Sequence, residues 1–250
     1  MNYKILIACL AAFAVPTTVH AAAVNGTGNV TPEVIFGSGN ANGSFTGQTQ
    51  NNIEVGLRGK QRFPPANIFN YDGNDTYVFD STVLNTNPAN RSVFNFEWAI
   101  NVNADGTGTS TLADFDYALS IDQDPTNAVS FLTFDPINVA FADHSFGNGG
   151  TANGAGVEAV DATEYANNLT SFSVVQQSWN LGFGFSPDPD LPGRYSFDLQ
   201  VLQKGTSNVL SSASIVVDVK PVPVPAALPL LLTAFGGLFF LVRRRRRSAI

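Results

Sequence analysis

The strongest constraint on the fold of this chain is an alternation of large apolar and polar residues through its middle. In VFNFEWAINVN, residues 93–103, every second side chain from Phe94 to Val102 is large and apolar. Successive side chains of a strand point to opposite faces, so this period places five bulky groups on one face. The run LADFDYALSI, residues 112–121, repeats the pattern. Both runs are therefore predicted to be β-strands with one buried face.

The segments between apolar runs carry turn residues. ADGTGTST, residues 104–111, contains Asp-Gly and predicts that the two runs form one antiparallel hairpin. A second hairpin is predicted from Tyr195 to Val219, because apolar residues alternate on both sides of the turn sequence KGTSN. Gly and Asn clusters separate the weaker strands, which are predicted at residues 53–57, 77–79, 129–134 and 172–185.

These strands, each with one solvent-exposed face, and the short turns between them predict an all-β domain. We expect an antiparallel β-sandwich of about 8–10 strands over residues 24–220. A single departure is GVEAVDATEYANNL, residues 156–169, which places Val157, Val160, Tyr165 and Leu169 at helical spacing. One short helix is predicted there.

The first 23 residues have the pattern of a secretory signal peptide. Lys4 precedes an apolar run over residues 5–15, and small residues follow. Eleven residues at about 1.5 Å each cover only about half of a bilayer core, which is too short for a spanning helix. We expect export by the general secretion machinery and cleavage after Ala21 or Ala23. The only cysteine, Cys9, lies in this segment, so the mature chain can form no disulfide.

The C-terminal end has three parts in order. Residues 221–225 form a Pro-rich linker, residues 226–242 carry no charge and are predicted to be a transmembrane helix, and residues 243–250 form a basic cytoplasmic tail. Positive segments stay on the cytoplasmic side, which places the body outside. The basic anchor is Arg243, Arg244, Arg245, Arg246 and Arg247.

The motif before this helix is Val222, Pro223, Val224, Pro225 and Ala226. Followed by an apolar helix and an arginine cluster, it resembles the PEP-CTERM sorting signals, most closely the VPLPA-CTERM subclass, with Val224 where that subclass has leucine. The resemblance implies a Gram-negative host and an integral-membrane cysteine protease, an exosortase, that cuts near the motif. An extended segment without backbone donors suits a protease cleft. The alternative is an unprocessed tail anchor.

This resemblance also implies a localisation. The body is expected in the periplasm, anchored to the inner membrane before processing, and at the cell surface or in the medium afterwards. Stretches such as IEVGLRGKQRFP, FDPINVAFADHSFG and SWNLGFGF are similar to uncharacterised bodies that carry such tails. That similarity implies no known activity.

The body is strongly acidic. All twenty acidic residues lie between Glu33 and Asp218, and the body of residues 24–220 holds only seven basic residues, a formal net charge of −13. Such a body repels nucleic acid, which excludes a nucleic-acid partner. Calcium or a neutral glycan is the better-matched partner class.

Two acidic loops are the candidate calcium sites, because carboxylates two or three residues apart on a turn can converge on a hard cation. Acidic residues solvated in turns are the alternative. NVNADG, residues 101–106, overlaps half of an EF-hand loop, but Leu112 stands where its bidentate glutamate is needed. The candidate ligands are Asp72, Asn74 and Asp75 in YDGNDTYVFD, and Asp122 and Asp124 in SIDQDP.

Three other residues could carry chemistry. His144 is the only histidine of the exported chain, and neither a catalytic triad nor an HExxH zinc motif accompanies it, so we interpret it as a loop or turn residue. Trp98 and Trp179 could stack on sugar rings, but both are in phase with apolar neighbours and are predicted to lie in the core.

The sequence therefore predicts a non-enzymatic surface or extracellular-matrix protein, structural or associated with exopolysaccharide and biofilm, with no cofactor unless calcium binds. One alternative is a secreted carbohydrate-binding module or glycan-active enzyme with the same sorting signal. A further alternative is a calcium-dependent adhesin.

Overall fold

A computed structural model describes residues 23–62, 67–81, 91–139, 141–189 and 191–221. These residues form two β-sheets with eleven strands and one α-helix. No helix within them is long and apolar enough to cross a membrane. The sorting motif, the predicted transmembrane helix, the basic tail and all of the signal peptide except Ala23 lie outside the described residues.

The first sheet has six strands in the order β1-β2-β3-β5-β9-β8. Every neighbouring pair in it is antiparallel. Its strands are β1 (Val24–Gly28), β2 (Phe45–Gln50), β3 (Ile53–Gln61), β5 (Phe94–Asn101), β8 (Ser145–Gly147) and β9 (Val174–Trp179).

The second sheet has five strands in the order β4-β11-β10-β6-β7. β4 runs parallel to β11, which corrects the expectation of purely antiparallel pairing. Parallel neighbours need a long connection, and here the chain passes through both sheets between the two strands. The strands are β4 (Thr76–Asp80), β6 (Phe115–Asp122), β7 (Phe131–Phe134), β10 (Gly193–Gln203) and β11 (Val209–Lys220).

One predicted hairpin is confirmed and the other is wrong. β10 and β11 pair on either side of the turn of residues 204–208, with Tyr195 opposite Val217 and Phe197 opposite Ile215, and the register shifts after Val201. β5 and β6 do not pair, because β5 belongs to the first sheet and β6 to the second. The inward side chains of both strands belong to the same core cluster, and the segment between them crosses from sheet to sheet. The alternation in the sequence is the same whether two strands pair in one sheet or face each other from opposite sheets.

Aromatic rings fill the space between the sheets. The ring of Phe96 on β5 stacks on that of Phe197 on β10, with centroids 4.7 Å apart. The rings of Phe94 on β5 and Tyr195 on β10 are tilted against each other, with centroids 6.1 Å apart. Trp98 is fully buried beside them. Each of these contacts joins one sheet to the other, so a single apolar core lies between them.

The outer face of the first sheet is also covered by protein, contrary to the expectation that every strand has one solvent-exposed face. Residues 29–44 cross it and form a second, smaller cluster with the strands beneath. Gln176 on β9 holds this segment, since its side chain accepts a hydrogen bond from Ile35 N at 2.9 Å and donates one to Glu33 O at 3.0 Å. The cluster consists of Val30, Val34, Phe36, Phe45 and Ala99.

The helix α1 spans Ala162–Ser171, so the predicted helix exists but begins later than expected. Asp161 caps its first turn by accepting hydrogen bonds from the backbone N–H groups of Thr163 and Glu164, which is why the helix starts there. Val160 precedes the cap and is exposed. Tyr165 is buried and ties the helix to the core.

Candidate functional site

The first and last described strands lie next to the two predicted processing sites. Ala23 is exposed and directly precedes β1, so cleavage after Ala21 or Ala23 leaves every described strand whole. At the other end β11 runs to Lys220. The sorting motif from Val222 to Ala226 and the arginines from Arg243 to Arg247 lie outside the described residues.

The first candidate calcium loop is a turn that precedes β4. Asp72 Oδ1 accepts hydrogen bonds from the backbone N–H groups of Asn74 at 2.9 Å, Asp75 at 3.3 Å and Thr76 at 3.1 Å. These bonds lower the pKa of Asp72. Asp75 accepts a hydrogen bond from Thr76 Oγ1 at 2.6 Å. Asp72 therefore stabilises its own turn.

The second candidate loop follows β6 and shows the same arrangement. Asp122 is buried, and its Oδ1 accepts hydrogen bonds from Asp124 N at 3.1 Å and Ser130 N at 2.9 Å. Asp124 Oδ1 accepts one from Thr126 N at 2.8 Å, and this bond lowers the pKa of Asp124. One oxygen of each carboxylate therefore binds the backbone of the loop.

The structure does not bring the two loops together. β11 and β10 lie between β4 and β6, which separates the loops by three strand spacings, or about 14 Å. A single cation cannot bridge that distance. Across the described ranges there is no group of three or more His, Cys, Asp or Glu side chains that could hold a metal ion.

His144 precedes β8 but is fully buried, which the interpretation as a turn residue did not foresee. Its Nε2 lies 2.7 Å from Pro136 O, and its ring stands perpendicular to that of Trp98 with centroids 5.1 Å apart. Burial lowers the pKa of His144, and the bond to Pro136 and the charge of Asp143 oppose that shift. The neutral ring is a core group without access to a substrate.

The two tryptophans lie where the sequence predicted. Trp98 is fully buried, and Trp179 is partly buried with its ring 5.4 Å from that of Trp98. Phe134 on β7 stacks on Trp179, with centroids 6.2 Å apart. These rings build the core, so the described tryptophans are not a sugar-binding surface.

The candidate site is instead a groove of about 410 Å3 on the outer face of the second sheet. The inward side chains of β10 are buried and the intervening ones face outward, so strand alternation alone places the polar groups there. Asp75 reaches the groove from the turn before β4. The other outward residues that line it are Ser120, Phe131, Ser196, Asp198, Ser214 and Val216.

A row of polar side chains crosses this face over four neighbouring strands. Thr133 pairs with Ser120, Ser120 with Asp198, and Asp198 with Ser214 in the strand register. The hydroxyls of Thr133 and Ser120 lie 2.8 Å apart, and Ser214 Oγ donates to Asp198 Oδ2 at 2.5 Å. At about 4.8 Å per strand the row extends about 14 Å. We call it the polar row.

Phe131 lies at one side of the groove, on the edge strand β7, and is 48% exposed. Phe134 on the same strand faces the opposite way, into the core. The sequence predicted a strand here, but nothing in the pattern FLTF indicates which phenylalanine faces out. Phe131 and Asp198 are the residues that sequence reasoning missed.

Comparisons with protein-family models, with curated proteins and with solved structures found no match to this chain.

Proposed function

We propose that this chain is an exported bacterial surface or extracellular-matrix protein with an exosortase-type sorting signal at its C-terminus. In this proposal the general secretion machinery exports it, residues 226–242 hold it in the inner membrane, and an exosortase then cuts near the motif from Val222 to Ala226. The body has a structural role, associated with exopolysaccharide or biofilm, and performs no catalysis.

The main support for this proposal is the short distance in sequence between the last described strand and the motif. β11 lies between β4 and β10, and its last residue, Lys220, pairs with Asp80. The motif begins two residues later, at Val222. A membrane protease could therefore cut at the motif without removing any of the described strands from the body. This spacing is what a removable anchor requires.

The first experiment is mass spectrometry of the protein from its native cells, in both the membrane and the medium fractions. We expect a chain that begins after Ala21 or Ala23 and ends near Pro225. A full tail found only in the membrane would contradict the sorting proposal and support a plain anchor.

A variant pair sharpens this test. Replacement of both Pro223 and Pro225 by alanine should leave the uncut chain in the membrane. Pro221→Ala changes a proline directly outside the motif and should be processed as the wild type is. Equal processing of both variants would show that the motif is not the recognised signal.

A further inference from the structure

We propose that the groove on the outer face of the second sheet binds a neutral, extended glycan chain. The inference does not rest on the sorting proposal, because every residue that forms the groove lies in the body. It rests on three features of the groove: its free hydrogen-bonding groups, its exposed aromatic ring, and the polar row that crosses the strands.

The polar groups of the groove match a ligand rich in hydroxyls. Ser214 donates its hydrogen bond to Asp198 Oδ2. Among the contacts of the described residues, Asp198 Oδ1 accepts none. The hydroxyl of Ser196 also has no hydrogen-bond partner among the described residues. A carboxylate oxygen accepts strong hydrogen bonds from hydroxyl groups, and a serine hydroxyl both donates and accepts. Adjacent hydroxyls of a sugar ring supply both kinds of partner.

The charge of the groove excludes an anionic ligand. Asp75 and Asp198 line it, and no Lys or Arg is among the described residues that do so. The whole body carries twenty acidic against seven basic residues. An acidic polysaccharide would therefore be repelled both by the groove and by the surrounding field. The ligand is a neutral glycan.

Phe131 provides the apolar contact that such a ligand needs. Its ring is 48% exposed beside the hydroxyls and carboxylates of the sheet face, and Val216 adds a second apolar surface. Binding sites for small molecules combine aromatic surface with a few convergent polar groups. The ring can stack on the apolar C–H face of a sugar while the polar row binds its hydroxyls.

The length of the polar row favours a chain of several sugar units over a single sugar. The polar row crosses four strands and extends about 14 Å, which is longer than one sugar ring. The backbone of β10 is already paired with β11 and β6 on both sides. An added peptide strand has no free backbone to pair with there, so recognition must use side chains.

The test is a binding measurement with the full-length protein in a detergent that contains no sugar. An array of neutral and acidic oligosaccharides identifies the ligand, and titration calorimetry then measures its affinity. We expect binding to neutral oligosaccharides only. Phe131→Ala and Asp198→Asn should each weaken binding by tenfold or more.

Two matched controls separate the groove from general effects. Phe141 is also 48% exposed but does not line the groove, and Asp188 is an exposed carboxylate outside it. Phe141→Ala and Asp188→Asn should leave the affinity within twofold of wild type. Near-ultraviolet circular dichroism confirms that all four variants remain folded.

Several results would overturn the proposal. These are no binding to any neutral glycan at concentrations up to about 1 mM, binding of acidic glycans only, or unchanged affinity in both groove variants. Release of new reducing ends by the wild type and not by Asp198→Asn would replace the binding site with an active site. None of these results depends on whether the tail is processed.

Discussion

Arg58 and Glu97 form a fully buried ion pair on the outer face of the first sheet. Arg58 Nε lies 2.7 Å and Nη2 lies 2.6 Å from Glu97 Oε2, and both side chains are completely inaccessible to solvent. Arg58 Nη1 also donates to Ala41 O and Gly43 O at 2.8 and 2.6 Å. The pair therefore attaches the segment of residues 29–44 to the strands beneath it.

Replacement of Glu97 by glutamine should strongly destabilise the protein. Glu97 also pairs with Lys60 at 2.6 Å, so the change leaves two cations in this region without their carboxylate. Loss of one partner of a buried pair costs roughly 3–5 kcal/mol. Urea denaturation of the full-length protein in detergent, followed by the fluorescence of Trp98 and Trp179, measures the free energy of unfolding.

The control for this prediction is the exposed pair of Lys204 and Asp116, which are 2.9 Å apart. Lys204→Met should change the free energy of unfolding by less than about 1 kcal/mol, because solvent screens exposed charges. An equally small effect of Glu97→Gln would show that the pair is not buried in solution.

Glu54 should make the protein less stable as the pH rises. Burial raises the pKa of Glu54 to about 7, although hydrogen bonding to Thr31 opposes the shift. The unfolded chain ionises near the ordinary value of 4.5, whereas the folded state keeps the proton until about pH 7. Stability that is present below pH 4.5 is therefore lost between pH 4.5 and 7. Glu54→Gln should remove this slope from the unfolding free energy, and identical pH profiles would contradict the assignment.

His144 should make the protein less stable as the pH falls, the opposite of the effect of Glu54. Burial lowers its pKa from the ordinary value of 6.5, so below that pH the unfolded chain takes up a proton that the folded state does not. Stability is then lost as the pH falls below 6.5. His144→Gln should be less stable at pH 8, by roughly 2–4 kcal/mol, because ring packing is lost. Its unfolding free energy should nevertheless lack the acid-side slope, which the same titration measures.

Gly26 should not tolerate a side chain. Its φ is +63°, and a Cβ there would lie 2.2–2.3 Å from three ring atoms of Tyr71. Gly26→Ala should cost roughly 3 kcal/mol from overpacking and backbone strain together. Gly73 also has a positive φ but open space around it, so Gly73→Ala should cost only about 1 kcal/mol. Equal losses in thermal unfolding would show that the Tyr71 contact is absent.

Calcium and magnesium should affect the melting temperature equally. Asp72 and Asp124 each use a carboxylate oxygen to bind the backbone of their own turn. Asp72→Ala should lower the melting temperature, and Asp72→Asn should lower it less because an acceptor oxygen remains. If calcium but not magnesium raised the melting temperature, and Asp122→Asn abolished that rise, the result would instead support the calcium-dependent adhesin.

Part of the candidate site could be read from the sequence. Asp75 was recognised as a loop acid, and the alternation of β10 predicts that Ser196 and Asp198 share a face. The groove itself could not be predicted, because its residues come from the turn before β4 and from β6, β7, β10 and β11. The order of those strands in the sheet is a non-local property.

The sequence by itself determined that β5, β6, β10 and β11 are strands, which of their side chains share a face, and that β10 and β11 form a hairpin, whereas β1, β2 and β8 were not predicted. These features follow from the period of two and from a local turn. Only the tertiary structure decided that β5 and β6 lie in opposite sheets, that β4 runs parallel to β11, and that residues 29–44 cover the ion pair of Arg58 and Glu97. The physical reason is that alternation specifies a buried face and not the neighbour that covers it.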